Sequence, residues 1–356
     1  MITIAIGLSI VLLLVILFLL FRIGTLSSIF RGSSERAAGT TKISNRVNGT
    51  LLLLFLILGG AAFAWSFADA WDEMNLPLGS VHGEWTDNLF WTTMIIIGIV
   101  FIITQVLLFL YSYKYQHQDD KRAYYYPHNN KLEIIWTMIP AVVMAVLVFG
   151  GWKTWTNITS AAPEDAVVVE VMGKQFNWMV RYPGADGKLG VAKHTLIDAT
   201  NEMGVDFSDP NAMDDFMPRE IHVPKGKPVL LKIRSRDVIH SVFMPHFRLK
   251  MDAVPGMPTK FWFVPTKTTN EMANETGNPD FKYELACTEI CGRGHFAMRF
   301  IVVVDEPEDY EAWLADQTPF VEQNPQVLAK LSTKASKELV AEAHSEEKAE
   351  VVKTEL

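Results

Sequence analysis

The chain has 356 residues, 49% of them apolar, which is enough for more than one domain, and its formal net charge of −8 withholds the basic face that nucleic-acid binding requires. The sequence contains no Gly-rich phosphate loop, no defensible Ser/His/Asp arrangement and no internal repeat, so neither phosphate cradling nor triad chemistry is read from it.

The apolar residues are gathered at the N-terminal end. Four uncharged runs, 1–21, 47–68, 88–113 and 134–152, each approach or exceed the roughly 20 residues an α-helix needs to cross a bilayer. Four transmembrane helices are therefore expected. The first run begins without a positive charge and keeps its Arg on the far side, so it is read as a retained helix and not as a cleaved secretory signal. Arg22, Arg31, Arg36, Lys42 and Arg46 lie between the first two runs, and Lys114, Lys121, Arg122 and Lys131 between the last two. The connection 69–87 has no Lys or Arg and carries Asp69, Asp72, Glu73, Glu84 and Asp87. The positive-inside rule then puts both basic loops in the cytoplasm and exports the large C-terminal part. Its acidic surface suits a basic protein partner, or serves solubility alone.

From about Val167 the pattern changes to short β-branched and aromatic runs: "VVVEVMG", "QFNWMVRY", "PVLLKIRS", "KFWFVPT", "FKYELAC" and "MRFIVVVD". Such runs, broken by Pro, Gly, Asn and Asp without intervening helical patterns, predict an all-β sandwich or barrel. The polar, acidic stretch 184–219 is read as a surface loop, "EDYEAWLADQ" as a short helix, and 317–356, rich in Glu, Lys and Ala, as a solvated tail. The expected division is 1–68 for two N-terminal transmembrane helices, 69–156 for a transmembrane hairpin, 157–316 for the exported β-domain and 317–356 for the tail.

Chemistry is concentrated in "ELACTEICGRGHFAMRF", which holds both cysteines of the chain, Cys287 and Cys291, with Glu289 between them and His295 and Met298 beyond. In an exported domain a disulfide is one reading, although so short a loop removes little unfolded-state entropy. Zinc is a second reading, weakened by Met298 and the lack of a second ligand pair. Thiolate, imidazole and a weak Met together describe copper electron-transfer sites. Two thiolates can bridge a pair of copper ions, each capped by an imidazole, and the second imidazole has a candidate in His240 of "SRDVIHSVFMPHF". For His240 a buried ring bonded to backbone is the competing reading. His222 and His246 are read as ordinary surface residues.

These segments resemble subunit II of cytochrome c oxidase, the family with a binuclear copper centre called CuA. "CTEICGRGHFAM" matches that family's Cys-x-Glu-x-Cys-x-x-x-His-x-x-Met ligand run, "SRDVIHSVFMPHFRLKMDAVPG" is similar to its segment around the upstream histidine, "LEIIWTMIPA" to the start of its second membrane helix, and "GKQFNWMVRY" to its aromatic segment. The resemblance covers roughly 85–305 and implies a cupredoxin-like C-terminal sandwich. It implies that Cys287 and Cys291 bridge two coppers, that His240 and His295 each cap one, that Met298 is a weak axial ligand, and that Glu289 lends its backbone carbonyl. The Glu289 side chain would face a magnesium shared with subunit I, and Glu133 would stand at the mouth of a proton-uptake path. A helix-terminal charge favoured by the dipole is the alternative for Glu133.

The implied partners are oxidase subunits I and III, subunit I carrying heme and a further copper, and a cytochrome c donor, soluble, tethered or membrane-bound. No nucleic acid is among them, and a bacterial inner membrane with the copper domain on the periplasmic side is the implied location. Two departures stand out. The family usually has two membrane helices, so the extra pair would pack against additional respiratory subunits. Its aromatic segment usually reads Gln-Trp-x-Trp, whereas Phe176 takes the first Trp position here and Trp178 keeps the second. A metal-free quinol-oxidase subunit would lack the ligand set, and a copper chaperone would want exposed, exchangeable ligands.

Overall fold

The computed structural model describes residues 2–30, 34–118, 121–327 and 329. They fall into two compact units, the first drawn from Met1–Met74 and Thr92–Val142, the second from Asn75–Trp91 and Val143–Leu356.

The first unit is helical, because uncharged runs in an apolar medium leave backbone N–H and C=O groups no partners but one another. Its elements belong to α1 (Ile2–Phe30), α2 (Ser34–Asp69), α3 (Trp71–Met74), α4 (Val81–Lys114) and α5 (Asn130–Thr159). Among the described residues, Ile43–Asp69, Val81–Lys114 and Asn130–Thr159 are long and apolar enough to cross a membrane, and Val11–Ser27 is a shorter apolar stretch. Helices α2 and α4 meet through Phe55 on Phe109 and Phe63 on Phe101, with ring centroids 5.5 and 6.2 Å apart. Gly49 permits the close approach, since a Cβ there would lie 3.4 Å from the Tyr113 backbone.

The second unit is a sandwich of β1 (Val167–Lys174), β2 (Asn177–Arg181), β3 (Ile221–Pro224), β4 (Val229–Ser235), β5 (His240–Met244), β6 (Leu249–Ala253), β7 (Thr259–Phe263), β8 (Tyr283–Cys287) and β9 (Arg299–Asp305). One sheet has the order β2-β1-β4-β7 and the other β3-β9-β8-β5-β6. Alternation sets the core: Val229, Leu231 and Ile233 of β4 point inward with Val169 and Val171 of β1, and meet Val242, Leu285 and Val302 from the other sheet. The six sequence-read strands are β1, β2, β4, β7, β8 and β9. The three unread ones, "IHVP", "HSVFM" and "LKMDA", are only four or five residues long.

Two segments differ from their sequence reading. The stretch 184–219 folds as part of the domain: Met203, Val205, Phe207 and Ala212 build a second small core with Met172 of β1. Several of its carboxylates close turns, as Asp209 does by accepting the N–H groups of Val191 at 2.8 Å and Asn211 at 3.1 Å. Val321 and Val327, from the stretch read as tail, pack into the same core. The expected short helix is present at Pro307–Ala315.

Beneath this second core runs a buried ion cluster. Arg181 donates to Glu170 and Asp215, both at 2.7 Å, and to the Gly190 carbonyl at 3.0 Å, while Arg234 donates to the other Glu170 oxygen at 2.7 Å. Burial pushes the Asp215 carboxyl up to about 6 against the pull of Arg181 and the Gly190 N–H.

The segment Asn75–Trp91 is knitted into the sandwich. The Gly79 N–H donates to the His246 carbonyl and the Ser80 hydroxyl to that of Phe247, both at 2.8 Å. Arg248 grips Asp87 through two bonds of 2.8 and 2.9 Å and the Leu76 carbonyl at 2.7 Å. His246 is accordingly not a plain surface residue: its ring packs edge-on to Phe281 and Tyr283, and burial, then Arg248, lower its pKa. His222 is also held inside, stacked on Trp313 with Nδ1 2.7 Å from Asp305.

Candidate metal centre

The candidate ligands converge at one end of the sandwich because of strand register. In the β5/β8 pair Val242 lies opposite Cys287, and His240 is two residues from Val242 along β5. His240 and Cys287 therefore point to the same face. Beyond Cys287 the chain loops through Cys291, a short turn at His295–Ala297 and Met298, and the Cys287 N–H donates to the Met298 carbonyl at 3.1 Å to close the loop.

The two sulfurs are 4.0 Å apart and both thiols are free and buried. A disulfide would bring them to about 2.05 Å. His240 Nδ1 lies 3.8 Å from the Cys287 sulfur and His295 Nδ1 lies 3.6 Å from that of Cys291. The Met298 sulfur is 3.8 Å from Cys291, and the Glu289 carbonyl is 3.3 Å from the Cys287 sulfur. Donors that share a metal at bond lengths of about 2.0 to 2.3 Å show separations of this size. His240, Cys287 and Cys291 fall within a single 4.8 Å cluster, and His295 with Met298 extend it on the Cys291 side.

The electrostatics keep Cys291 protonated unless a cation is bound. Burial, with Cys287 beside it, pushes the Cys291 thiol up to about 11. Two thiolates side by side in a buried pocket need positive charge between them, and a soft metal pair supplies it. Thiolate, imidazole and thioether donors fit copper.

Several residues that the sequence reading passed over hold the ligands. Asp237 accepts from His240 Nε2 at 2.8 Å, which fixes the tautomer and turns Nδ1 toward Cys287. Burial alone would raise the Asp237 pKa, but the N–H groups of Gln175 and Val238 and the His240 ring hold it below its ordinary value. Gln175 bridges two loops, its N–H donating to Asp237 at 2.8 Å and its side chain to the Cys291 carbonyl at 2.5 Å. Gly173 makes room for the ligand ring, since a Cβ there would lie 2.8 Å from His240 Cδ2. Gly173→Ala is expected to displace His240 and lower copper affinity by about 10 to 100-fold, the range typical of lost support around a metal ligand; a competition titration against a copper chelator measures it. The signals were in the sequence: Asp237 precedes His240 by three residues, and Gly173 and Gln175 belong to the aromatic segment.

Trp178 is buried, with its ring 5.9 Å from that of His240 in an edge-on arrangement. Phe176 is 41% exposed. Its ring lies on the ligand loop, so closely that a Cβ at Gly294 would come within 2.5 Å of Phe176 Cγ. The Glu289 side chain is exposed. Glu133 stands in the other unit, in the first turn of α5, where its carboxylate accepts the Asn129 N–H at 3.2 Å. That bond belongs to the helix terminus, where Asn129 Oδ1 also accepts the Leu132 N–H at 3.1 Å.

The chain thus combines apolar helices long enough to cross a membrane with a β-sandwich whose one end gathers two free thiols, two imidazoles and a thioether, the donor set of a copper site. Residues 71–152 match the transmembrane domain of cytochrome c oxidase subunit II, and residues 167–305 match the periplasmic domain of the same subunit. The chain is 36% identical over 276 residues to the alternative cytochrome c oxidase subunit 2 of Bradyrhizobium diazoefficiens, covering 76% of this chain and 92% of that one. It is 27% identical over 281 residues to the cytochrome c oxidase subunit 2 of Thermostichus vulcanus, covering 64% and 73%. A crystal structure of the periplasmic domain of subunit II of cytochrome oxidase from Bradyrhizobium japonicum aligns with 44% of this chain and 95% of that one, at 25% identity and a TM-score of 0.30. The chain belongs to the cytochrome c oxidase subunit II family and is an integral membrane protein.

Proposed function

We propose that this chain is the electron-entry subunit of an oxygen-reducing heme-copper oxidase. It takes electrons from a cytochrome c and passes them to heme in subunit I, where dioxygen is reduced to water and protons are translocated. The observation that carries this is the pair of free thiols 4.0 Å apart, each with an imidazole nitrogen within 3.8 Å. When bound, a copper pair held by these residues would supply a one-electron carrier.

The chain's own residues hold, orient and insulate that carrier. Cys287, Cys291, His240, His295, Met298 and the Glu289 carbonyl would hold it, and Asp237 keeps His240 in one tautomer. The β-scaffold fixes these groups before an electron arrives, which limits rearrangement during transfer. Trp178, against His240, and Phe176, over the ligand loop, line the electron-entry region. The exposed Glu289 carboxylate is proposed to reach a magnesium at the junction with subunit I. Glu133 is proposed to mark a proton-uptake entrance, with its bond to the Asn129 N–H as the alternative explanation for its place. The lack of Lys and Arg in 69–87, against the basic loops on either side, supports a copper domain on the non-cytoplasmic, proposed periplasmic, face of a bacterial inner membrane. Subunits I and III are the proposed partners, with further respiratory subunits against α1 and α2. The assignment of 1–68, 69–156, 157–316 and 317–356 to separate roles is part of the same proposal.

Stopped-flow mixing of reduced cytochrome c with the purified oxidase tests the reading. The copper band should bleach before heme is reduced. Heme reduction with no copper phase would overturn it.

A further inference from the structure

The second core gathers thioethers. Met172 of β1 and Met203 are buried in it, and Met179 of β2 and Met217, both half-buried, pack against it. Met172 lies opposite Met179 in the β1/β2 register, so their side chains leave the sheet on one face, the face that carries this core. Met179 and Met217 also stand in the wall of a cavity of about 520 Å³, so the group borders open space on that side. Trp178, the next residue along β2, points the other way, into the main core and toward His240, and the sheet therefore separates this cluster from the cysteine centre.

The same face of β2 carries unused negative charge. Arg181, two residues from Met179 and on its side of the strand, holds the fully buried Asp215. The Asp215 Oδ2 accepts from Arg181 at 2.7 Å and from the Gly190 N–H at 3.1 Å, whereas its Oδ1 is buried without a partner, as is Oδ1 of the neighbouring Asp214. Arg181 and Arg234 balance Glu170 and Asp215, which leaves the Asp214 carboxylate without an ion pair among the described residues. Buried oxygens with nothing to accept mark a place short of a positive charge.

We infer that Met172, Met179, Met203 and Met217 form a second metal site, built of thioethers alone, that holds one cuprous ion apart from the cysteine centre. Thioethers are soft and uncharged, which selects Cu(I) over harder ions, and a monovalent ion needs only one spare carboxylate nearby to offset it. If the four methionines serve only as flexible filler of irregular space, no metal is expected at all. The inference does not depend on the electron-entry reading.

The test uses the assembled oxidase, copper-loaded and chemically reduced under argon, so that the cysteine ligands are occupied and added Cu(I) stays cuprous. Cu(I) is titrated in competition with a chromophoric Cu(I) chelator. One further Cu(I) per chain is expected, with only sulfur neighbours in the X-ray absorption difference spectrum and no displacement by excess Zn(II). The double variant Met179→Leu, Met217→Leu keeps size and apolarity, and should weaken this binding by about tenfold or more. Its melting temperature, and the paramagnetic spectrum of the cysteine centre after reoxidation, should match the wild type. If the melting temperature falls, Met217→Leu alone carries the same expectation. Absence of a further Cu(I), an ion with nitrogen or oxygen neighbours, or equal affinity of wild type and variants overturns the inference; the last would put the ion on exposed methionines such as Met257.

Discussion

Cys291→Ser abolishes the shared-electron copper signal and lowers cytochrome c oxidation by more than about 100-fold, because losing even a residue that only supports a metal ligand costs about 10 to 100-fold. The buried Cys291 sulfur lies 4.0 Å from Cys287, 3.6 Å from His295 Nδ1 and 3.8 Å from the Met298 sulfur, so its removal withdraws the group that links the two halves of the site. Serine has nearly the same shape, and its hydroxyl is a hard, weakly acidic donor that does not bridge copper. The fold should be little affected: the strand that ends in Cys287 and the closing Cys287 N–H to Met298 bond are backbone features. Copper content, paramagnetic resonance and turnover of the purified variant measure the effect. A variant that keeps both coppers and wild-type turnover would show that the thiols pack without bridging.

Arg181→Met is expected to destabilise the exported unit by about 3 to 5 kcal/mol, the cost of removing one partner from a buried ion pair. Arg181, Glu170 and Asp215 are all buried, and the substitution leaves two carboxylates facing each other with only Arg234 on the Glu170 side. In a unit of this size that is roughly 10 °C in melting temperature, at about 2 to 4 °C per kcal/mol. The pH dependence has a defined sign. Asp215 sits at about 6 in the folded protein, above its ordinary value of 3.8, so it binds its proton more readily folded than unfolded. Its contribution therefore favours folding below about pH 4 and is lost as pH rises through 6. Without Arg181 the charged form is worse still, so the variant should be further below wild type at pH 8 than at pH 5. Thermal unfolding followed by near-ultraviolet circular dichroism at both pH values checks it. A loss under 1 kcal/mol, or one that is larger at pH 5, would contradict the role given to the cluster. The surface pairs of Lys225 with Glu271 and Glu306 set the contrast, since solvent screens exposed pairs and leaves them little weight in stability.

Much of this molecule was legible because its strongest signals are local. An uncharged run long enough to span a bilayer has one stable backbone solution, and alternating β-branched residues such as those of β4 specify a half-buried strand. The ligand loop was legible because Cys287, Cys291, His295 and Met298 fall within twelve residues, 287–298. What escaped depends on distant partners. The stretch 184–219 reads as loop because Asp, Asn and Gly favour turns, and only the fold shows that its Met and Phe side chains meet Met172 and Val321 to make a core. His222 and His246 carry no local mark of burial, and Trp313 and Tyr283, which cover them, lie far along the chain. The Asn75–Trp91 strap reads as part of the membrane hairpin because its acidic residues suit a short exported connection. Its attachment depends on Arg248 meeting Asp87, a pairing no periodicity encodes.

The most direct single measurement is copper stoichiometry together with the electron paramagnetic resonance spectrum of the purified full-length chain in its assembled complex, with the coppers of the partner subunit counted separately. Two coppers on this chain sharing one unpaired electron, with hyperfine splitting from both nuclei, is the predicted result. A single copper with the spectrum of a one-thiolate site, or no copper with Cys287 and Cys291 oxidised to each other, would contradict it.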